Sequence, residues 1–189
     1  HGHSEHKVGA YHFADWIDDV YQLINQVGKQ PVILLGHSLG ALIASCVAAA
    51  FPEKIKALIM IEGAGPLVQP VESTTSHLRR ALQSRHKIAN VHPRALSALV
   101  QAKQRALSIS SQHAELLVTR GISALEGGYV WRHDPKLTHL SPFRLSEAQA
   151  QQLIQDIACP TFCILGDAGY VEIKQLLTQR RRDFKQLTI

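Results

Sequence analysis

The chain is poor in residues that staple, stack or span. Its 189 residues hold three cysteines, Cys46, Cys159 and Cys163. An odd number argues against a disulfide framework, and Cys159 and Cys163 lie roughly 13 Å apart if they share a strand, too far to bridge. This usage fits a reducing cytoplasm. Aromatic residues make up only 6%, so the aromatic-interleaved basic face that binds nucleic acid is missing. The net charge of +5 includes the run Arg180-Arg181-Arg182, read as a solvated helix face. The other basic residues are scattered, and no nucleic-acid partner is expected. Apolar runs never reach membrane-spanning length, and the longest, Leu39 to Phe51, is short and rich in small residues. The amino end, His1-Gly2-His3-Ser4-Glu5-His6, has no signal-peptide pattern, and a first residue other than Met suggests a cut piece. The eleven histidines do not fall into metal spacing. His1, His3 and His6 lie in a Gly/Ser-containing end, and no metal site is expected.

What is present is an ordinary globular composition, 46% hydrophobic and 19% charged, in a chain long enough for one sizeable core with or without a subdomain. Its organising stretch is Pro31 to Phe51. Pro31 to Leu35 is an apolar run without helical period, as a strand buried on both faces requires. Gly36-His37-Ser38-Leu39-Gly40 follows, and Ala41 to Ala50 is small and apolar enough for a tightly packed helix. Strand, GxSxG and helix in this order form a nucleophile elbow. A serine there sits on a strained turn, and Gly36 and Gly40 are expected to keep neighbouring chain from clashing. The turn lifts the Ser38 hydroxyl clear of the sheet, and the Leu39 N–H at the helix start faces a developing oxyanion with the helix dipole behind it. The bland reading is a glycine-rich turn with an exposed serine.

Along the rest of the chain, Tyr11 to Val27 carries a helical stripe, Phe13, Ile17, Val20, Ile24 and Val27, with Asp15, Asp18 and Asp19 opposite and Gly28 as its stop. Phe51-Pro52-Glu53 breaks the elbow helix, and Ile55 to Ile61 is a second buried strand, giving a right-handed βαβ unit. From Leu67 to about Leu145 the composition turns polar, with helices expected at Ser73 to Ala89, Pro93 to Leu107 and Ser111 to Arg120, the last capped by Gly121. Gly127 to Pro135 is extended. This block is read as a helical lid inserted between strands; the alternative is more core helices. Ser146-Glu147-Ala148-Gln149 is a capping box opening a helix to about Asp156. Cys159 to Leu165 is a third buried strand, Tyr170 to Phe184 a helix, and Leu187 to Ile189 the start of a fourth strand.

The elbow, the order of elements and several segments resemble the α/β-hydrolases over nearly the whole chain. IEGAGPL (Ile61 to Leu67), YVWRHDPKL (Tyr129 to Leu137), SPFRLSEAQ (Ser141 to Gln149) and GDAGY (Gly166 to Tyr170) resemble a bacterial serine-hydrolase-like branch. The resemblance implies an α/β fold: a partial parallel-sheet hydrolase core, residues 1–66 and 146–189, with a lid at 67–145. His1-Gly2-His3-Ser4 resembles the loop that the family places after an early strand, so the strands before it are expected to be missing. Trp131 and Arg132 are expected to anchor the lid to the core rather than face a pocket.

The resemblance also implies a nucleophile, an acid and a histidine in that chain order. Ser38 is the nucleophile. The family's usual acid position follows the strand ending at Leu165, but there the frame is Gly166-Asp167-Ala168-Gly169, with glycine where the acid would stand. Glu62, ending the strand after the elbow helix, is the preferred acid. A carboxylate at the end of a buried apolar strand is costly unless a partner meets it. Asp167 is the alternative. His37 flanks the nucleophile without serving as base; the base and first oxyanion donor are expected outside this chain, leaving Leu39 N–H. The implied activity of the full-length protein is cleavage of a carboxylic ester or related acyl bond of a small molecule, with no cofactor, metal or membrane partner, and the piece alone is expected to be inactive. A serine at the elbow argues against dehalogenase or epoxide-hydrolase chemistry, whereas C–C hydrolysis and perhydrolysis use the same residues. A ligand-binding or scaffold role without catalysis is the rival reading.

Overall fold

A computed structural model describes residues 2–28, 30–86 and 92–189. In chain order the elements are α1 (Phe13–Val27), β1 (Val32–His37), α2 (Leu39–Ala50), β2 (Ile55–Ile61), α3 (Thr74–Ser84), α4 (Leu96–Leu107), α5 (Ser111–Gly121), β3 (Ile122–Leu125), β4 (Gly128–Trp131), α6 (Glu147–Asp156), β5 (Thr161–Ile164), α7 (Val171–Arg180) and β6 (Leu187–Thr188). They divide into two compact units. One comprises residues up to Tyr11 with Ala81–Leu140, the other His12–Arg80 with Ser141–Ile189. Residues 67–80 and 141–145, expected in the insertion, thus cluster with the second of these units.

The larger unit is built on a four-stranded parallel sheet in the order β1-β2-β5-β6. Leu58, Met60 and Cys163 point into a core that also holds Ile24 of α1, Val47 and Ala48 of α2, Ile154 of α6 and Leu177 of α7. Small side chains let α2 lie close to the sheet, and nearly every residue from Ala41 to Ala49 is buried. The buried Ser45 hydroxyl donates to the Leu42 carbonyl at 2.8 Å, which removes the cost of an unpaired polar group. The strands are not buried on both faces, contrary to the sequence expectation. Ile33 and Leu35 of β1 are about three-fifths exposed (59% and 61%), and Phe162 and Ile164 of β5 are exposed as well. The core just described covers only the other face. An apolar run cannot report whether both of its faces are covered.

Local signals set most boundaries. The Ser146 hydroxyl accepts from Gln149 N–H while Gln149 Oε1 accepts from Ser146 N–H, closing the expected capping box of α6. Asp15 is not only on a polar face: its carboxylate accepts His12 N–H at 2.8 Å at the head of α1. Val27, expected in the buried stripe, is exposed, and Gly28 has extended backbone rather than a left-handed cap. The chain's departure from this unit and its return are pinned together. Gln69 N–H donates to Leu145 O at 3.0 Å, and His77 Nε2 donates to Ser141 O at 2.7 Å.

The smaller unit has its own core, Leu99, Val100, Ala114, Val118 and Ile122, formed by α4, α5 and the β3–β4 hairpin. Helix α4 begins at Leu96 and not at Pro93, because Arg94 pairs in antiparallel fashion with Tyr129. Gly128, at φ +147°, is required by that pairing, since a Cβ there would lie 2.7 Å from Arg94 O. Helix α3 ends at Ser84, with Arg85 and His86 in a turn; the rest of the expected helix, to Ala89, runs into residues 87–91, outside those described. No helix among the described residues is long and apolar enough to cross a membrane.

Asp134, 4% exposed, organises the amino-terminal segment of this unit. It accepts from Tyr11 Oη at 3.1 Å and Lys136 N–H at 2.9 Å, and pairs with Lys136 Nζ at 3.3 Å. Burial alone would raise its pKa, but these donors outweigh it and hold the carboxyl below its usual value. Asp134→Asn should therefore lower stability by about 1–3 kcal/mol at neutral pH. A carboxylate whose folded pKa is depressed stabilises the fold above its unfolded pKa and loses that contribution as pH falls through the folded one. The penalty of the substitution, measured by urea melts, should therefore shrink below about pH 4.

Candidate active site

The two parallel strands β1 and β2 end side by side, with His37 opposite Ile61. One residue further, each chain enters a left-handed conformation: Ser38 has φ +50° and Glu62 φ +49°. Such values are uncommon outside glycine and mark backbone held by its surroundings. Ser38 N–H donates to Ile61 O at 2.9 Å, and Glu62 N–H to Ile164 O at 2.9 Å. These bonds carry the sheet's ladder one step past the strands and fix both residues at its carboxyl edge. The Ser38 side chain stands exposed, Leu39 N–H heads α2, and His37 is exposed at the end of β1.

The two glycines flanking Ser38 differ. A Cβ on Gly36 would lie 2.3 Å from Gly40 O and 2.5 Å from Ala41 N, whereas a Cβ on Gly40 would meet nothing within 4 Å. The close approach therefore constrains Gly36 alone, which corrects the expectation that both are needed. Gly36→Ala should cost about 3 kcal/mol or more through forced backbone movement. Gly40→Ala should be neutral or stabilising by up to about 1 kcal/mol, as alanine is in a helix. Thermal melts of the two variants decide this, and equal losses would contradict it.

Glu62 projects across the end of β5. Its Oε1 accepts Gly166 N–H, and its Oε2 is buried with no hydrogen-bond partner among the described residues. A Cβ on Gly169 would lie 2.5 Å from Oε1 and 2.8 Å from Oε2 of this carboxylate. The glutamate head from β2 thus fills the volume that a side chain at position 169 would occupy. Cys163, beneath it, donates Sγ–H to Gly63 O at 3.3 Å, and burial, then the Glu62 charge, push its thiol up to about 11. Burial pushes Cys46 up to about 12, so neither thiol is a nucleophile at neutral pH. Asp167 is exposed, and its main-chain carbonyl accepts Lys174 Nζ at 2.8 Å. It does not cap α7, whose N-cap is Tyr170.

Arg180 supplies what the sequence reading missed. Expected on a solvated face with Arg181 and Arg182, it is instead 1% exposed. Its Nε and Nη2 donate to the two oxygens of Glu147, each at 2.7 Å, and its Nη1 donates to Ala64 O at 2.8 Å and Pro66 O at 3.0 Å. It therefore clamps the turn that follows Glu62. The signal was present: Ile173, Leu176, Leu177 and Arg180 follow helical spacing along one face. In the smaller unit, Arg132 Nη1 donates to His3 Nδ1 at 3.2 Å, and its Nε donates to Ile122 O. Trp131 packs in that unit's core, with Lys103 Nζ 6.0 Å from its ring centroid.

The chain matches the profile of the alpha/beta hydrolase fold across residues 1–136. It belongs to the alpha/beta hydrolase fold family. A hypothetical protein from Pseudomonas aeruginosa PAO1, solved by crystallography, is 33% identical with a TM-score of 0.86, covering 100% of this chain and 69% of that one. A serine hydrolase-like protein of Dictyostelium discoideum is 28% identical over 193 residues, 95% of this chain and 54% of its own length. A serine hydrolase-like protein of Danio rerio is 21% identical over 178 residues, covering 89% of this chain and 55% of that protein. The chain thus spans just over half the length of these two relatives. The thioesterase domain of the curacin biosynthetic pathway shares the fold, with a TM-score of 0.80 at 24% identity. The parallel sheet with its packed helices is consistent with part of an alpha/beta hydrolase core.

Proposed function

We propose that the complete protein is a serine hydrolase that cleaves a carboxylic ester or related acyl bond through Ser38. The observation that carries this reading is the Glu62 carboxylate standing in the space open at Gly169, with Oε2 unpartnered among the described residues, just past the strand that pairs with β1. A buried acceptor without a donor is costly. The Nδ1–H of a catalytic histidine would satisfy it, as the acid of a Ser-His-acid relay does. That base is proposed in the family's position after the last strand. It would take the proton of Ser38 as Oγ bonds to the acyl carbon, with the oxyanion facing Leu39 N–H. It would then return the proton to the departing alkoxide. Water, deprotonated by the same base, would release the acid from the acyl-enzyme. The names of the serine hydrolase-like relatives support this reading.

A fluorophosphonate probe tests it without knowledge of the substrate. Intact-mass and peptide analysis of the complete protein should show one adduct on Ser38, formed many times more slowly in Glu62→Gln. An unlabelled Ser38 in folded protein would favour the non-catalytic binding role.

A further inference from the structure

The larger unit contains a cavity of about 810 Å³ that the elbow chemistry does not use. Phe13 and Ile17 of α1, Cys46 of α2, Leu145 and Leu153 give it an apolar lining. Cys46 is eight residues from Ser38, about 12 Å along α2 at 1.5 Å per residue, so this cavity is separate from the nucleophile. Arg144 is the cation in its lining, and its Nε is buried without a hydrogen-bond partner among the described residues. The lining acid, Asp15, already accepts His12 N–H. Burial and the nearby charge of Arg80 both disfavour the Arg144 cation, so two guanidinium groups lie close enough to repel each other. An apolar cavity edged by a half-buried guanidinium whose Nε has no hydrogen-bond partner among the described residues is chemically complementary to an anionic head on a hydrocarbon tail. The planar fork of arginine favours a carboxylate, and the volume is in the range of small-molecule sites.

We infer that this cavity is a second ligand site, which takes an unbranched aliphatic monocarboxylate with its head on Arg144 and its tail along α1, α2 and α6. Binding there does not require Ser38 to be a nucleophile.

Calorimetric titration with dodecanoate and dodecyltrimethylammonium, both below micelle formation, tests this in the wild-type protein and in Ser38→Ala. Dodecanoate should bind one site in both, at least tenfold more tightly than the cation of equal tail length. Trp16, packed beside Phe13 and Cys46, should report it by a fluorescence change. Arg144→Gln should lose at least tenfold in dodecanoate affinity, Arg144→Lys should retain most of it, and Ala50→Trp, at the cavity wall, should block it. Absence of saturable binding, equal affinity for the two ions, or an Arg144→Gln variant that folds and binds dodecanoate as wild type does would overturn the proposal. Loss of dodecanoate binding in Ser38→Ala alone would place the ligand at the elbow and overturn it too.

Discussion

Ser38→Ala in the complete protein should reduce hydrolysis of short-chain p-nitrophenyl esters by about 10⁴-fold or more, equivalent to about 5.5 kcal/mol of transition-state stabilisation. The loss should appear in kcat with little change in KM, because the hydroxyl forms its bond only on the reaction path. The fold should be unaffected: Ser38 is exposed, and its main-chain bond to Ile61 O survives the substitution. Glu62→Gln should be nearly as severe, about 10³–10⁴-fold, since an amide cannot supply the charge that stabilises an imidazolium. Asp167→Asn should stay within about threefold, as expected of an exposed residue outside the proposed relay. Ester hydrolysis that survives in Ser38→Ala within tenfold of wild type would sink the nucleophile assignment, and a dominant loss at Asp167 would move the acid.

Arg180→Met should produce the largest loss of stability, about 3–5 kcal/mol, the range seen when one partner of a buried pair is removed. Two carbonyls, Ala64 O and Pro66 O, would lose their donor in the interior. Glu147→Gln should cost far less, because that carboxylate is 45% exposed and water replaces much of what the arginine gave it. The pH dependence separates the two components. The Arg180 hydrogen bonds hold the Glu147 carboxyl below its usual value, against a smaller opposing effect of burial. The pair's contribution is therefore complete above the unfolded pKa of about 4.3 and is lost as pH falls through the lower folded value. The acid limb of the stability curve should flatten in both variants, while only Arg180→Met loses stability steeply at pH 7. Chemical denaturation across pH 2.5–7 measures both effects. A loss for Arg180→Met no larger than that of Glu147→Gln would show that the clamp on Ala64 and Pro66 contributes nothing.

What the sequence disclosed and what it concealed divide along physical lines. The strand-turn-helix around Gly36 to Gly40, the capping box at Ser146 and the strand at Ile55 to Ile61 were legible because each depends on neighbours within a few residues. The burial of Arg180 was not, since two further arginines hid its place in the apolar spacing of α7. The exposed face bearing Leu35 and Ile164 was hidden for a different reason: apolar strands look alike whether one side or both are covered. The relation of Glu62 to Gly169 was half visible. Glycine at 169 and a carboxylate at 62 can both be read from the sequence, but only the pairing of β2 with β5, Ile61 opposite Ile164, brings the two positions to the same volume.

That shared volume gives a relation that can be tested on other chains. A Cβ at position 169 would lie 2.5 Å from the Glu62 carboxylate, so a side chain there requires the glutamate's flexible end to swing aside or to be shorter. On the proposed assignment of Glu62, the carboxylate has one seat with two addresses. A search that demands acid at the second address alone would file chains with glycine there among the dead members of the fold. Under the proposed assignment, scoring the two positions as a pair, large with glycine or small with acid, would separate lost machinery from machinery that has moved one strand over.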